Sequence, residues 1–152
     1  MARLDYYAIE NQIKTILEAD SDVTGHWGER NTRVLIEREM VFGMDELPAV
    51  MIYLDRRDAT PGQPIAAGTR TRLQLRFSIW CVDFHLDSMA MACEARDDLM
   101  GLVEVALMKN RDLDGKVGAS WIEGGEFMSA ENDGSFIAAG EIVLVADGVS
   151  TT

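Results

Sequence analysis

The stretch Thr71-Arg-Leu-Gln-Leu-Arg-Phe-Ser-Ile-Trp-Cys-Val-Asp-Phe84 decides the fold. In it Leu73, Leu75, Phe77, Ile79 and Cys81 alternate with Arg72, Gln74, Arg76, Ser78 and Trp80. A two-residue period of this kind marks a strand with one face on a core. The other face begins basic and turns aromatic. Upstream, Leu47-Pro-Ala-Val-Met-Ile-Tyr-Leu54 is a compact apolar run whose proline stands at the start, where a missing N–H matters least. Between the two runs, residues 58–68 carry Pro61, Gly62, Pro64 and Gly68 and almost no bulky apolar side chain, which is loop chemistry. The expectation is a β-hairpin with an outsized tip, a flexible arm spanning about residues 56–70.

Working outward, residues 4–19 place Tyr6, Ile9, Ile13, Ile16 and Leu17 on one helical face, with Glu10, Gln12, Lys14 and Glu18 pointing away. Asp5 is the expected N-cap, Leu4 and Ile9 fit a hydrophobic staple, and Asp20-Ser21-Asp22 ends the helix. The run Thr32 to Arg38 reads equally as a strand or a short helical piece. Asp87 or Ser88 caps a second helix, reaching about Asn110, with Ala92, Ala95, Leu99, Leu102, Val103, Ala106 and Leu107 on its apolar face. Residues 117–128 and 136–146 read as two strands around the turn Asp133-Gly134. Ile142 to Val145 is apolar on both faces and so belongs inside a sheet, while residues 148–152 read as a short polar tail. The order predicts a single α+β domain over residues 1–152, an antiparallel or mixed β-sheet with two α-helices packed on one face and a long β-hairpin arm.

Composition narrows the function. Of 152 residues, 14 are Lys or Arg and 26 Asp or Glu, a formal net charge of −12. Binding by phosphate neutralisation usually needs the opposite balance, and an anionic membrane surface is disfavoured for the same reason. The first five residues lack the apolar stretch of a signal peptide. Cys81 and Cys93 stand twelve apart among apolar neighbours with no C-x-x-C, and are expected to be reduced thiols. Nucleophile-elbow, P-loop, dinucleotide-binding and zinc-protease motifs are absent. A small cytosolic enzyme using Cys81 and His85 is the catalytic alternative, though a reactive thiol needs an electropositive, accessible setting. Acid pairs such as Asp112/Asp114 fit turns rather than a metal loop. No metal or cofactor is expected.

One feature stands out of this acidic background. Arg56, Arg57, Arg70, Arg72 and Arg76 gather at the root of the arm. Charges on a solvated strand edge protect it from pairing. The same basic stripe could instead meet the acid of an identical neighbour, since a head-to-tail ring needs two complementary patches.

Four stretches carry a resemblance: Ile13-Lys-Thr-Ile-Leu-Glu-Ala-Asp-Ser-Asp-Val23, Leu47-Pro-Ala-Val-Met-Ile-Tyr53, the arm with Leu73-Gln-Leu-Arg-Phe-Ser-Ile-Trp-Cys81 leading into the long helix, and the final hairpin. In order and texture, over about residues 4–146, the chain resembles the tail-terminator and minor tail proteins of long-tailed bacteriophages, typified by the lambda tail terminator. The resemblance implies a non-enzymatic protein of the virion tail, met in the host cytoplasm during assembly. It would form a hexameric ring that caps the tail tube, ends its polymerisation and joins the head. Its partners would be copies of itself, the tail-tube protein and the head–tail connector. DNA would pass through the channel without being specifically bound, which an acidic ring suits. Another virion-neck or tail-tube component of related fold is the alternative within that class.

Overall fold

The computed structural model describes residues 5–26, 31–37, 46–59, 70–132 and 134–151. Helix α1 spans Tyr6–Ala19, α2 Ser21–Thr24 and α3 Met89–Met108; the strands are β1 Arg33–Ile36, β2 Ala49–Ala59, β3 Arg70–His85, β4 Ala119–Ile122, β5 Phe127–Asn132 and β6 Ser135–Thr151. They form one mixed sheet in the order β1-β2-β3-β6-β4, with β5 also on β6. This is the α+β architecture the alternation implied. The ambiguous run at Thr32 resolves as strand, with β1 parallel to β2 and every other pairing antiparallel.

Capping sets the helix ends. Asp5 accepts the Ala8 N–H at 3.0 Å, as expected of an N-cap; Leu4, the proposed staple partner of Ile9, lies outside the described residues. Asp20 does more than end α1. Its Oδ1 accepts the N–H groups of Asp22 and Val23 at 3.0 and 3.2 Å, so the chain turns directly into the short α2. Ser88 caps α3 through Met91 N–H at 3.1 Å. Apolar periodicity carries α1 and α3 onto the sheet: Ile9, Ile13, Leu17, Leu99, Val103 and Leu107 meet Val50, Ile52, Leu75, Phe77, Ile79, Ile142 and Leu144 in one core.

Three readings of the sequence need correction. β6 does not stop near Ala146. It pairs with β3 from Phe136 opposite His85 to Thr151 opposite Arg70, so the polar stretch from Gly148 is strand through Thr151 rather than a tail. The expected single strand over residues 117–128 is two. β4 pairs with residues 144–147 of β6 and β5 with residues 135–140, on the same edge. Between them the regular pairing is interrupted at Gly124-Gly125, although the Gly124 and Glu126 carbonyls still accept the Val143 and Glu141 N–H groups at 2.7 Å each. A Cβ on Gly125 would sit 1.8 Å from the Glu141 carbonyl oxygen, so glycine is required there. The expected arm is already strand at both ends. β2 stays paired through Ala59 opposite Leu73, and β3 already begins at Arg70; the expected tip, residues 60–69, lies outside the described residues.

The opposite sheet face, which the sequence left without a partner, has a second and smaller core. Leu47, Ala49, Met51, Val82, Phe84 and Ala139 are buried there, flanked by Leu35, Tyr53, Trp80 and Ile137.

Candidate assembly surface

The root of the arm follows from one irregularity. Between Leu54 and Arg56 the β2–β3 register shifts, the signature of a β-bulge at Asp55. An extra residue reverses which face the following side chains take. Arg56 therefore stands opposite Arg76 on the face away from the helices, whereas Arg57, opposite Leu75, turns toward α1. Arg57 Nη1 donates to the Tyr6 hydroxyl at 2.7 Å, and its guanidinium carbon lies 5.6 Å from that ring's centroid.

Arg56 and Arg76 are cross-strand like charges, which is unfavourable unless something answers them. Carboxylates do. Arg56 Nε bonds Asp58 at 2.9 Å, and Arg76 Nη1 bonds Glu123 at 2.9 Å across the sheet. The Trp121 indole N–H and then the Arg76 guanidinium hold the Glu123 carboxyl below its ordinary range. Arg70 and Arg72 take strand positions opposite Thr151 and Val149, and their side chains lie outside the described residues. Of the five arginines, Arg56 and Arg76 come together and Arg57 leaves the group. Asp58, two positions from Arg56 on one strand face, was legible as a partner. Tyr6 and Glu123 were not, since nothing local announces that α1 docks here or that β4 follows β6 across the sheet.

Glu10 overturns a helical-wheel expectation. It is 3% exposed rather than outward-facing. Burial, and then a hydrogen bond and repulsion from the Glu37 carboxyl, push it up to about 8, against a bond from the Leu54 backbone. Glu37, at a positive φ of 51° just past β1, accepts the Leu54 N–H at 2.7 Å. The two carboxyls thus meet beside the strand that carries the bulge. A second buried polar pair was equally hidden in the sequence: His26 Nε2 lies 2.7 Å from Asp83 Oδ2.

Cys81 and His85 do not form a catalytic pair. They are four residues apart along β3, about 13 Å at strand rise. Cys81 is wholly buried, and desolvation drives its thiol far above the usual range. His85 Nδ1 instead accepts the Asp87 N–H at 3.1 Å. Both cysteines are free thiols. Among the described residues, no three His, Cys, Asp or Glu side chains are grouped to hold a metal ion, and no helix is long and apolar enough to cross a membrane.

The remaining surface is notable for exposed apolar side chains. On α3 these are Met91, Val105 and Met108; on β5 they are Phe127 and Met128. An edge strand carrying such residues is a ready site for contact with another chain.

No family model and no curated protein matches the chain. Among solved structures, it shares its fold with a chain of the virion of a native gene transfer agent particle. The TM-score is 0.52 at 14% identity, and the match covers 95% of this chain and 100% of the other.

Proposed function

We propose that the chain is a structural protein of a phage-type virion tail, a terminator that caps the tail tube as a ring, ends its growth and offers the surface to which the head is joined. The observation that carries this reading is the extent of the fold match. It runs over nearly the whole of this chain and all of a virion chain from a phage-like particle, so no large insertion or missing element separates the two. The four stretches quoted above support the more specific assignment to the terminator class.

On this reading the partners are identical subunits in a hexamer, the tail-tube protein and the head–tail connector, while DNA slides through the ring. The basic root of the β2–β3 hairpin would contribute to subunit or tube contacts. Arg56 and Arg76 are the members turned away from the helices, Arg70 and Arg72 lie further along β3, and Arg57 serves mainly to tie the hairpin to α1. The net charge of −12 disfavours adhesion to phosphates during passage. It also sets subunits against one another, so a tube end that gathers them should promote closure.

Light scattering after gel filtration, with and without cognate tail tubes, tests the reading. Rings, free or bound to tube ends, are expected. A persistent monomer that never binds tubes overturns it, and binding along the tube wall favours a neck or tube component instead.

A further inference from the structure

Four of the seven large apolar side chains most exposed among the described residues lie on the C-terminal half of α3 or on β5: Val105, Met108, Phe127 and Met128. They flank one sheet edge, and they form two different shapes.

One is a projection. Phe127 is 63% exposed and pairs with Gly140 on the helix face of β6. A Cβ at Gly140 would strike Met100 Sδ at 2.2 Å, so α3 rides close over the strand there. Arg96 of α3 lies with its guanidinium carbon 4.6 Å from the Phe127 centroid. The ring is thereby propped from one side while most of its surface stays in solvent. Glu126, also exposed, precedes it.

The other is a groove of about 220 Å³ between the end of α3 and β4, lined by Leu107, Met108, Arg111, Trp121, Ile122 and Leu144. A cavity of about 150 Å³ lined by apolar side chains holds a benzene molecule, so this groove has room for a phenyl ring. Met108, at its rim, is 61% exposed. Arg111 sits at the mouth, with Lys109 two residues earlier.

Projection and groove do not overlap. From Arg96 to Met108 is twelve residues of helix, about 18 Å. A patch and its complement at separate places on one chain make a heterologous contact, which repeats head to tail and closes into a ring if the rotation permits. Charge is complementary as well as shape, since an acid, Glu126, stands beside the projection while Arg111 lines the groove.

We infer that Phe127 of one copy of this chain enters the α3–β4 groove of the next copy, with Glu126 meeting Arg111 there. The inference rests on the ring assembly proposed above and gives that ring one of its contacts. Residues 126–128 and 108–122 then form the two halves of a subunit interface that the arginine-rich hairpin does not supply.

Cysteine trapping tests it in the full-length chain. Phe127→Cys and Met108→Cys are both exposed substitutions that leave the core intact. Mixed in equal amounts under mild oxidation, the two variants should give a disulfide-linked dimer at least several-fold above either variant alone, with the native chain as background. Efficient cross-linking of Phe127→Cys alone would mean a symmetric β5 contact and overturns the inference, as does no cross-link in a mixture that light scattering shows to be assembled. Independently, Glu126→Arg should reduce assembly about tenfold, and adding Arg111→Glu should restore it. Native-level assembly of Glu126→Arg, or a loss that Arg111→Glu does not restore while the native chain still assembles, counts against the contact while leaving the ring intact. A native chain that never assembles, with or without tubes, ends both proposals.

Discussion

The two faces of the sheet differ in how they are closed. The helix face is shut by α1 and α3 over a continuous apolar core, in which Phe77, Ile79, Leu75 and Leu99 have no exposed surface. The opposite face changes along its length. It is apolar around Met51 and Val82, aromatic at Tyr53 and Trp80, and charged at Arg56 and Arg76. The first face specifies one packed arrangement, and the second is graded and still has polar groups to offer. Folding is therefore concentrated on one side of the sheet, leaving the hairpin root and the β4–β5 edge available for contact.

That contrast can be broken experimentally, beginning with the core. Phe77→Ala should cost about 3–5 kcal/mol and Met51→Ala nearer 2 kcal/mol in denaturant unfolding, the usual span for large-to-small core changes. Equal losses would mean that the second core holds the sheet as firmly as the first.

The next largest effect depends on pH. Glu10 is held protonated in the folded chain up to about 8, whereas in the unfolded chain it releases its proton near 4.5. The folded state therefore retains a proton that the unfolded state has lost, and this contribution to stability falls as pH rises from about 4.5 to 8. Glu10→Gln should remove that part of the slope, so that its stability gain over the native chain grows across the window. A difference independent of pH would show that Glu10 is not held as an acid between α1 and Glu37.

Thiol labelling sharpens the same contrast. Cys93, half-buried on α3, should react with an aromatic disulfide reagent in the folded chain, while Cys81 should react only at the rate of unfolding. Fast labelling of Cys81 would mean that the helix face opens readily. The smallest effects belong to the charged root. Arg57→Ala should cost up to about 1 kcal/mol through its cation–π contact and hydrogen bond with Tyr6. Arg56→Ala, in an exposed pair with Asp58, should cost about half a kcal/mol or less. If assembly uses the outer face, Arg56→Ala nevertheless weakens ring formation more than Arg57→Ala does.

Much of the architecture was legible because periodicity is local. The alternation from Leu73 to Cys81 and the helical spacing in α1 and α3 each bury what their periods predict. Elements whose fate depends on a distant neighbour were not legible. Glu10 sits on the polar side of its helix by spacing alone, and β1 with Glu37 encloses it. Gly148 to Thr151 is polar enough to be a tail, yet the long β3 gives each residue a partner. The need for glycine at position 125 follows from the close approach of the Glu141 carbonyl, which lies on another strand. The arginine cluster was visible in sequence, but its division between two faces hangs on a single bulge at Asp55. The phenylalanine projection and its groove use ordinary apolar residues, and only their placement on one edge singles them out.

The most direct test of the central claim is the length of tail tubes grown from cognate tube subunits in the presence and absence of this chain, measured by negative-stain microscopy. A terminator predicts shorter tubes, each with a ring at one end, and no further growth once capped. Tubes of unchanged length distribution with bare ends would contradict it.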